Sequence, residues 1–559
     1  MMNSVLRLIG NYRLFEIGTR AGRSPLPDAP DEDEKYSYIR RNVHVLVIFS
    51  VFSFTCVTIS AVRLYLDRWW LFPFLLLLAY TIVYFLFSLR INFLTRDFDL
   101  RMHRYLVRQW RPQTYPSVDV FLPTCGEAID VLRNTWTGVA QMRRQYRGLV
   151  MVHCLDDAHS PAVRSLAREF GFFYHARPNK GWFKKAGNLR YGFQNSGCDF
   201  IAIFDADFRP RRDFLDELLP YFDHDLSLGI VQSPQYFGFD SSQNWLERGA
   251  GAVQELFYRA VQVSRQTHQG AICVGSNAIY RRAALNDIGG TALIEHSEDV
   301  HTGFQLRQKG WHLMYVPIVL AKGLCPSELK AFFKQQYRWC MGSMSLLTSP
   351  TFWQTRLPLR TRMCFGSGFM YYIHTAVYAV FTPVIPLVML VKLPDQIWLA
   401  NYLLVFPSFL YIHVVLPLWH RKPQGIEAAS VRIVYGWAHL FAVKDKLLGT
   451  AKEWQPTGAA HAKDHNYTMF RLAVLVFNMV PALIWVGSAA YFMFTRSFID
   501  FLPIYVLGLY YFFAVLKIAA YRDPAAEPQP LQLVESGRLI LSRPRIRRDV
   551  LWLDQALRC

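Results

Sequence analysis

Long apolar segments on both sides of a polar block constrain this chain more than any other feature of its sequence. Each segment is close to the ~20 residues that a helix needs to cross the hydrocarbon core of a bilayer. The segments are Val43–Leu64, Trp70–Leu89, Phe369–Val391, Ile397–Leu418, Phe470–Phe494 and Phe501–Tyr521. They predict two transmembrane helices before the polar block and four after it. Burial in a protein core is the alternative, and it is strongest for Ile397–Leu418, which contains Asn401, Pro407 and His413.

Lysine and arginine are distributed unevenly among the segments that connect these spans. The N-terminal segment, the polar block and the connection from His420 to Arg471 are rich in basic residues. The turns Lys392–Gln396 and Arg496–Asp500 are short and poor in charge. Because basic residues concentrate on the cytoplasmic side, both ends and the polar block are predicted to face the cytoplasm, at the plasma (inner) membrane. The first span is too long and begins too far into the chain to be a cleaved signal.

Composition agrees with a membrane protein. Of the 559 residues, 52% are hydrophobic and 15% aromatic, yet the mean hydropathy is only +0.12, because apolar and polar residues are segregated. The net charge of +19 would also suit a nucleic-acid-binding protein, but no nucleic-acid-binding motif is present. The positive-inside bias and an anionic substrate explain the charge as well. The nine cysteines show no paired or metal-ligand spacing, which favours a reducing compartment.

The polar block alternates strand-like apolar runs with helical patterns. The clearest runs are Val118–Leu122, Val150–Leu155, Phe200–Phe204 and Leu228–Val231. This alternation predicts βαβ units around a parallel sheet. Ligands of such sheets bind beyond the carboxyl ends of the strands, where Asp156, Asp157, Asp205 and Asp207 fall.

The predicted organisation has five parts. They are a cytosolic N-terminal segment (1–42), two transmembrane helices (43–90), a cytosolic α/β domain with interface helices (91–348), four transmembrane helices with a cytosolic loop at 420–468 (349–521), and a basic cytosolic tail (522–559).

Two acidic motifs carry the candidate chemistry. Asp205 and Asp207, separated by one residue, place two carboxylates on the same side of an extended segment. Hard divalent cations such as Mg²⁺ or Mn²⁺ bind oxygen ligands and often bridge to phosphates, so this pair predicts a metal and a nucleotide diphosphate. Asp299 follows Ser297-Glu298, and a carboxylate there could act as a general base. The alternatives are an ordinary turn for the first motif and a helix start for the second.

Three further motifs surround these acids. Asp156-Asp157 could accept hydrogen bonds from a nucleobase and ribose, or form an acidic turn before a helix. The segment 179–188 reads NKGWFKKAGN, and its lysines could neutralise a diphosphate or lie in a solvated loop. Gln335–Trp339 reads QQYRW shortly before a predicted span. Its Trp could stack on a sugar, or simply mark the membrane interface.

In this order, the motifs resemble those of the processive family-2 glycosyltransferases, the group of cellulose, hyaluronan and chitin synthases. That family carries an Asp, an Asp-x-Asp, a (Thr/Ser)-Glu-Asp and a Gln-x-x-Arg-Trp. The matching residues are Asp156, Asp205, Asp207, Ser297-Glu298-Asp299, Gln335, Arg338 and Trp339. Lys185–Asn188 and Gln232–Phe237 also resemble motifs of cellulose-synthase-like members. The chain departs from the pattern at Cys125, where many members have an aromatic residue, and at Gln235, where they have histidine.

The resemblance implies a GT-A-type cytosolic glycosyltransferase domain, inserted between transmembrane helices, that takes sugar from a UDP-sugar with inversion. Under it, the residues contacting the UDP-sugar would be Thr124, Glu127, Asp156, Lys185, Asp205, Gln335 and Arg338. Asp205 and Asp207 would bind Mg²⁺ or Mn²⁺. Asp299 would be the catalytic base, and Trp339 would hold the acceptor sugar.

The resemblance also implies that the acceptor is a growing polysaccharide, a β-glucan made from UDP-glucose and moved across the bilayer. The alternatives are a non-processive transferase with a lipid acceptor, a synthase that uses UDP-N-acetylglucosamine, and a transporter or scaffold with a decayed transferase domain. Accessory secretion subunits and a homo-oligomer stay open as partners, whereas no nucleic acid is expected. Lys452–Gly458, with Trp454 and Thr457, loosely resembles a gating loop or is an ordinary turn. The basic segment Arg543–Arg548 either lies on anionic lipid or is solvated.

Overall fold

The computed structural model of the chain describes residues 25–39, 42–66, 68–240, 242–422, 425–450 and 464–523. Within these ranges the polar block forms an α/β domain and the flanking apolar segments form long helices. Both the predicted gating-type loop at Lys452–Gly458 and the basic tail lie outside the described residues.

The strands form two sheets. Their bounds are β1 (Val118–Thr124), β2 (Val150–Asp156), β3 (Phe173–His175), β4 (Phe200–Ile203), β5 (Phe208–Pro210), β6 (Leu228–Gln232), β7 (Tyr236–Phe237), β8 (Ala278–Arg281), β9 (His312–Tyr315) and β10 (Ala321–Gly323). The larger, 7-stranded sheet has the order β3-β2-β1-β4-β8-β6-β9. Its first four strands are parallel, as predicted, whereas β8 runs antiparallel to both of its neighbours. The smaller sheet has the order β5-β10-β7.

Alternation along β1 places apolar side chains on both faces of the larger sheet. Val118, Val120 and Leu122 belong to the core on one face, and Phe121 belongs to the core on the other. Because successive side chains of a strand point to opposite faces, a run that is apolar throughout is buried on both sides. The sheet is therefore a rigid layer in the middle of the domain.

Three adjacent strands end at the same edge of this sheet. Thr124, the last residue of β1, is in register with Asp156, the last residue of β2. On the other side of β1, the amide of Phe204 donates to the carbonyl of Phe121 at 3.2 Å, and Asp205 follows directly. The predicted acidic positions thus meet at one edge, in the way that parallel strands require.

The described part of the N-terminal segment is attached to this domain. The buried Lys35 ammonium lies 2.7 Å from an Asp213 carboxylate oxygen and 2.6 Å from one of Glu217. The amide of Val319 donates to the carbonyl of Lys35 at 2.9 Å. These contacts fix the start of the chain to the domain shortly before the first membrane helix begins at Val43.

The helices of the α/β domain surround the two sheets. Their bounds are Glu32–Lys35, Leu100–Gln109, Ile129–Gln145, Pro161–Phe170, Lys184–Gln194, Phe214–Leu218, Pro220–His224, Trp245–Leu256, the π-helical turn Phe257–Val261, Gln262–Thr267, Arg282–Asn286, Glu298–Gln308, Leu329–Leu347 and Pro350–Gln354. Local sequence sets several boundaries. Pro161–Phe170, for example, starts at a Ser160 cap with proline in its first turn and ends at Gly171, whose φ is 63°.

Five helices in the described part of the chain are long and apolar enough to cross a membrane. They are Val43–Leu66, Trp69–Asn92, Leu359–Lys392, His465–Thr495 and Phe498–Ala519. Their finer segments are the 3₁₀ turn Trp69–Leu71 before Phe72–Asn92; Leu359–Phe381 and Val384–Lys392; and His465–Val474, the π turn Leu475–Met479 and Val480–Thr495. The two spans predicted before the domain and three of the four predicted after it match these helices.

The fourth of the six predicted spans, Ile397–Leu418, is not among these five helices. The chain there forms 3₁₀ turns at Pro394–Gln396 and Leu399–Leu404, then Phe406–Leu410, a π turn at Tyr411–Val415 and Leu416–His420. Because proline lacks an amide proton, Pro407 is accommodated in the first turn of a helix, so continuous helix begins only at Phe406. The stretch from Phe406 to His420 is shorter than the ~20 residues needed to span hydrocarbon.

The predicted loop at 420–468 contains a long helix, Ile426–Leu448. Its buried residues include Val431, Val434 and Ala438, which belong to the core shared with Leu329–Leu347. A Cβ on Gly436 would lie 3.0 Å from the Cβ of Ala379, so glycine allows two helices to approach closely at this point. The structure therefore inserts a packed helix where the sequence predicted only a connection.

Candidate active site

Asp156 is surrounded by donors at the end of β2. Its carboxylate accepts hydrogen bonds from the Ala158 amide at 2.9 Å, the Ser160 amide at 2.7 Å and the Tyr174 hydroxyl at 2.8 Å. The Thr124 hydroxyl donates a longer bond of 3.4 Å. Both Asp156 and Thr124 are buried. This carboxylate therefore organises the turn that leads into the helix Pro161–Phe170.

Asp157 is engaged just as fully. Arg177 donates to both of its oxygens, at 2.7 Å from Nε and 2.8 Å from an Nη, and is itself fully buried. The Gly181 amide adds a bond of 3.2 Å. Arg177 also donates to the carbonyl of Trp182 at 2.5 Å, so one guanidinium ties the acidic turn to the NKGWFKKAGN segment. Bidentate pairing of this kind fixes both partners in orientation.

Glu127 folds back on the loop after β1. Its carboxylate accepts a hydrogen bond of 2.6 Å from the Cys125 amide. The pKa of the Cys125 thiol is raised to about 11 by burial and by the neighbouring Glu127 carboxylate, so the thiol stays protonated. Glu127 thus shapes this loop beside Thr124, while Cys125 offers no ring to a nucleobase.

Lys185 links the acidic motifs to one another. Its ammonium lies 2.5 Å from an Asp205 oxygen, 3.6 Å from a Glu298 oxygen and 3.2 Å from the carbonyl of Gly275. Burial opposes the charge of Lys185, but Asp205 and Glu298 outweigh it and raise the pKa of the ammonium. The backbone amide of Asp205 donates to the Ser276 hydroxyl at 2.9 Å. Residues far apart in sequence are therefore assembled around one cation.

The Asp207 carboxylate, unlike that of Asp205, has no ion pair to balance its negative charge in the described part of the chain. Burial, followed by the nearby charge of Asp205, raises the pKa of Asp207 to about 7. The loop is held from behind, because the Thr135 hydroxyl donates to the carbonyl of Ala206 at 2.8 Å. Within the described residues, no three His, Cys, Asp or Glu side chains are grouped to hold a metal ion. Asp205 and Asp207 fit a divalent cation that completes its shell with oxygens of a substrate or water.

Asp299 lies in the first turn of the helix Glu298–Gln308. The Ser-Glu-Asp motif is therefore also a helix start, which was the alternative interpretation of this motif. Ser297 adopts a left-handed conformation with φ 54° and its side chain does not cap the helix. Burial and then the charge of Glu298 raise the pKa of Asp299 to about 7. A Cβ on Gly275 would lie 2.9 Å from the Asp299 carboxylate, so this glycine admits Asp299 to the cluster.

The Gln335–Trp339 motif lies on the helix Leu329–Leu347 and presents one side to the acidic cluster. Gln335, Arg338 and Trp339 are partly exposed, whereas Gln336 and Tyr337 are buried. Burial lowers the pKa of Arg338 to about 10, and the charges of Glu298 and Asp205 partly offset that shift, which requires the guanidinium to be near both.

A glycine allows this helix to approach the cluster. One turn after Arg338, a Cβ on Gly342 would overlap the Ser297 hydroxyl, so the helix packs directly against the third acidic motif. Among the described residues, neither the Gln335 nor the Trp339 side chain forms a hydrogen bond or a ring contact with the cluster. The structure therefore brings Arg338, Asp205, Lys185 and Asp299 together.

Several residues of the site were not predicted from the sequence. Arg177 and Tyr174 lie in segments without a recognised motif, and only the structure shows that they bind Asp157 and Asp156. Glu298 was noticed only as part of the Ser-Glu-Asp motif, yet it faces Lys185. Gly275 and Ser276 were also not predicted, although the Gly275 carbonyl accepts from Lys185 and the Ser276 hydroxyl accepts from the Asp205 amide.

Residues 200–419 match the model of the Glycosyl transferase family group 2. The chain is 32% identical over 268 residues to the cellulose synthase catalytic subunit [UDP-forming] of Xanthomonas axonopodis pv. citri (strain 306), covering 46% of this chain and 36% of that protein. It is 34% identical over 262 residues to cellulose synthase 1 of Komagataeibacter xylinus, covering 46% of this chain and 17% of that protein.

Among solved structures, a mannosyltransferase from Pyrobaculum calidifontis in complex with GDP-Man and Mn²⁺ aligns with a TM-score of 0.45 and 14% identity. That alignment covers 67% of this chain and 98% of the mannosyltransferase. The region shared with this chain spans 36% of the length of the first curated relative and 17% of the length of the second.

Proposed function

We propose that this chain, which carries a family-2 glycosyltransferase domain and is cellulose synthase-like, is a membrane-embedded inverting synthase. It polymerises a β-glucan from UDP-glucose and moves the polymer across the membrane. The predicted family resemblance and the predicted α/β glycosyltransferase fold are both confirmed, and the chain is a multi-pass membrane protein. The donor follows from relatives whose names specify UDP as a product.

The edge formed by β1 and β2 is the proposed site of the nucleotide. Thr124, Glu127 and Asp156 lie at or just beyond these strand ends, where nucleotides bind in α/β sheets. Asp156 is already held by protein donors, so its role is to fix the loop that contacts uracil and ribose. Lys185, next to Asp205, supplies positive charge for the diphosphate.

Asp205 and Asp207 are the proposed ligands of Mg²⁺ or Mn²⁺. When bound, such a cation neutralises charge on the diphosphate as UDP leaves. Gln335 and Arg338 approach the diphosphate from the helix Leu329–Leu347, and the Arg338 guanidinium offers paired donors to phosphate oxygens.

Asp299 is the proposed general base. The acceptor hydroxyl attacks the anomeric carbon of the donor, its proton passes to the Asp299 carboxylate, and the bond from that carbon to the diphosphate breaks to release UDP. One direct displacement of this kind inverts the anomeric configuration. The raised pKa of Asp299, about 7, suits a base that works near neutral pH. Trp339, partly exposed on the neighbouring helix, would hold the acceptor sugar by stacking.

A path of polar aromatic side chains between the site and the membrane helices is the observation that carries the polymerase assignment. It begins at Tyr258, which is buried and whose pKa is raised by burial and then by the nearby Asp299 carboxylate. Tyr372 lies 4.8 Å from the His439 ring, centroid to centroid, and His439 stacks on Tyr435 at 5.3 Å. The Tyr372, His439 and Tyr435 rings lie on Leu359–Phe381 and Ile426–Leu448, and the second of these helices packs against Leu329–Leu347.

A second group of polar aromatic side chains lies on the helices Phe72–Asn92 and Leu359–Phe381. The Tyr84 and His374 rings stack at 4.6 Å, and His374 lies 4.5 Å from Tyr378. The Thr81 and Tyr378 hydroxyls are 2.8 Å apart. Polar side chains are costly in lipid and usually mark a pathway or a binding site. Rings with hydroxyl and imidazole groups suit a neutral polymer that has apolar CH faces and many hydroxyls.

The proposed location is the plasma (inner) membrane with the catalytic domain in the cytoplasm, where UDP-sugars are available. Basic residues in the segments on that side support this orientation. Accessory secretion subunits or self-association are compatible with this arrangement.

Product analysis tests the proposal. The full chain, purified in detergent or reconstituted in lipid, is incubated with labelled UDP-glucose and Mg²⁺ or Mn²⁺. The product is then sized and digested with linkage-specific β-glucanases. We expect UDP release together with a high-molecular-mass β-glucan that a β-glucanase degrades. A single sugar attached to a lipid, or incorporation only from UDP-N-acetylglucosamine, would reject the β-glucan synthase in favour of one of the two transferase alternatives.

A further inference from the structure

Two turns come together at the end of the membrane helices that lies away from the catalytic domain. The first, Arg68–Leu71, connects Val43–Leu66 to Phe72–Asn92. The second, Pro394–Gln396, follows Leu359–Lys392. The chain enters both helices from segments packed on the catalytic domain, so the turns lie on the opposite side of the membrane.

A cavity of about 550 Å³, open to the surface, lies between these turns. This volume falls within the ~300–1,000 Å³ typical of small-molecule sites. The cavity is lined by Arg68, Trp70, Lys392, Leu393, Asp395 and Gln396. Five of these six side chains carry a polar group, so the lining differs from the lipid-facing surfaces below it.

The cavity has a packed floor and a braced rim. Tyr65, Leu71 and Leu393 form a buried apolar cluster beneath it. At the rim, Arg496 pairs with Asp395, and the Trp398 indole donates to the Asp395 carbonyl at 2.5 Å. These contacts connect the Pro394–Gln396 turn to Arg496 and Trp398.

The lining combines an aromatic ring with hydrogen-bonding groups. The Trp70 side chain is 40% exposed at the cavity. Around it, guanidinium, ammonium, carboxylate and carboxamide groups supply both donors and acceptors. A sugar presents an apolar CH face to such a ring and hydroxyls to such polar groups. Membrane-interface anchoring explains Trp69 and Trp398, which are 86% and 61% exposed and do not line the cavity, but it does not explain this convergence.

The cavity also continues the aromatic path. Beyond Tyr378, the Phe381 and Phe74 rings pack edge to face at 6.3 Å, and Phe74 lies 6.0 Å from Tyr65 in the floor of the cavity. Separate groups of rings therefore lie along the membrane helices between the catalytic domain and the cavity. A polymer that follows them would arrive at Trp70.

We infer that this cavity is a saccharide-binding site for a short segment of neutral β-linked polysaccharide on the face of the membrane opposite the catalytic domain. The inference rests on the proposed function, because the path that leads to the cavity has meaning only if a polymer is made. Its role is to hold the emerging chain and so to oppose its return into the membrane. Its ligand class is a β-linked gluco-oligosaccharide.

Binding of a soluble β-linked gluco-oligosaccharide to the full chain tests this inference without relying on catalysis. Affinity is measured in detergent, with UDP and metal absent, for the wild type and for Trp70→Ala. Trp69→Ala is the matched control, because Trp69 is adjacent but lies outside the cavity. We expect Trp70→Ala to remove one class of sites or weaken it at least about tenfold, and Trp69→Ala and Trp70→Phe to retain it. Gln396→Ala should weaken the same sites by a smaller factor.

Equal saccharide binding by the wild type and both Trp70 variants would overturn the inference. The inference would also be overturned if a short-chain anionic phospholipid bound at the cavity and the saccharide did not. That result would identify a lipid headgroup site. If saccharide binding depends on Trp70 but no β-glucan is formed from UDP-glucose, the cavity stands as a saccharide site and the synthase proposal fails.

Discussion

The carboxylates at the two halves of the catalytic edge differ in how fully hydrogen bonds and ion pairs compensate their charge. At β2, Asp156 accepts three bonds between 2.7 and 2.9 Å, and Asp157 is held by both arms of Arg177. Across the cleft, burial raises the pKa of Asp207 and Asp299 to about 7. Compensated charges stabilise a fold, whereas buried charges without sufficient donors cost stability and indicate a ligand that supplies the missing charge. The first half is therefore a scaffold and the second half is the proposed site of chemistry.

The largest effect is expected at Asp299. Asp299→Asn keeps the shape of the side chain but removes the base, so kcat for UDP release should fall about 10³-fold with little change in the KM for the UDP-sugar. Steady-state UDP release measures both parameters. Glu169→Gln, at an exposed position, is the control and should behave as the wild type. Wild-type turnover in Asp299→Asn would remove Asp299 from the mechanism.

Arg177 tests the scaffold half. Arg177→Ala leaves the Asp157 carboxylate buried without its partner, and breaking such a pair costs about 3–5 kcal/mol. A large fall in the thermal unfolding midpoint in detergent is expected. Arg133→Ala breaks an exposed ion pair with Glu169 and should cost about 1 kcal/mol or less. If both variants unfold at the same temperature, the Asp157 pair is not the structural clamp described here.

Asp207 should show the reverse relation between stability and function. Asp207→Asn removes a carboxylate that burial disfavours, so the metal-free protein should gain about 1–3 kcal/mol at pH 8, after allowance for partial exposure. The same variant should lose Mn²⁺-dependent stabilisation and activity. Thermal unfolding with and without Mn²⁺ measures both effects. A variant that is less stable than the metal-free wild type, yet still responds to Mn²⁺, would contradict the assignment.

The smallest effects should appear on changing pH. The folded-state pKa values of Asp207 and Asp299 are raised to about 7, so their stabilising contribution is complete below about pH 4 and is lost as pH rises through 7. The thermal unfolding midpoint of the metal-free protein should therefore decrease as the pH is raised from 5 to 8. Activity should move the other way, with kcat dropping about fivefold from pH 7 to pH 6 as Asp299 becomes protonated. A pH-independent kcat would contradict this role.

The same contrast explains what the sequence could reveal. Asp156, Asp205 and Asp207 were predictable because each follows an apolar strand, and strand ends of a parallel sheet meet at one edge. Arg177 was not, because its partner is set by the path of a loop with three positive-φ residues at Gly181, Phe183 and Lys184.

The membrane region shows a similar limit. Ile426–Leu448 lacks a long apolar run, although its buried residues belong to the protein core, so hydropathy did not reveal it. Ile397–Leu418 has such a run, but prolines divide its backbone into short helices and turns. Hydropathy shows whether a segment is apolar enough for burial in lipid or protein. The positions of proline determine whether that segment forms one continuous helix.

A structure of the full chain with Mn²⁺ and a non-transferable UDP-glucose analogue, determined by electron cryo-microscopy, tests the central claim most directly. The account predicts the uridine beside the turn of Asp156 and Asp157, the diphosphate between Asp207 and Arg338, and the anomeric carbon facing Asp299. A nucleotide bound away from this edge, or a diphosphate out of reach of both Asp207 and Arg338, would contradict it.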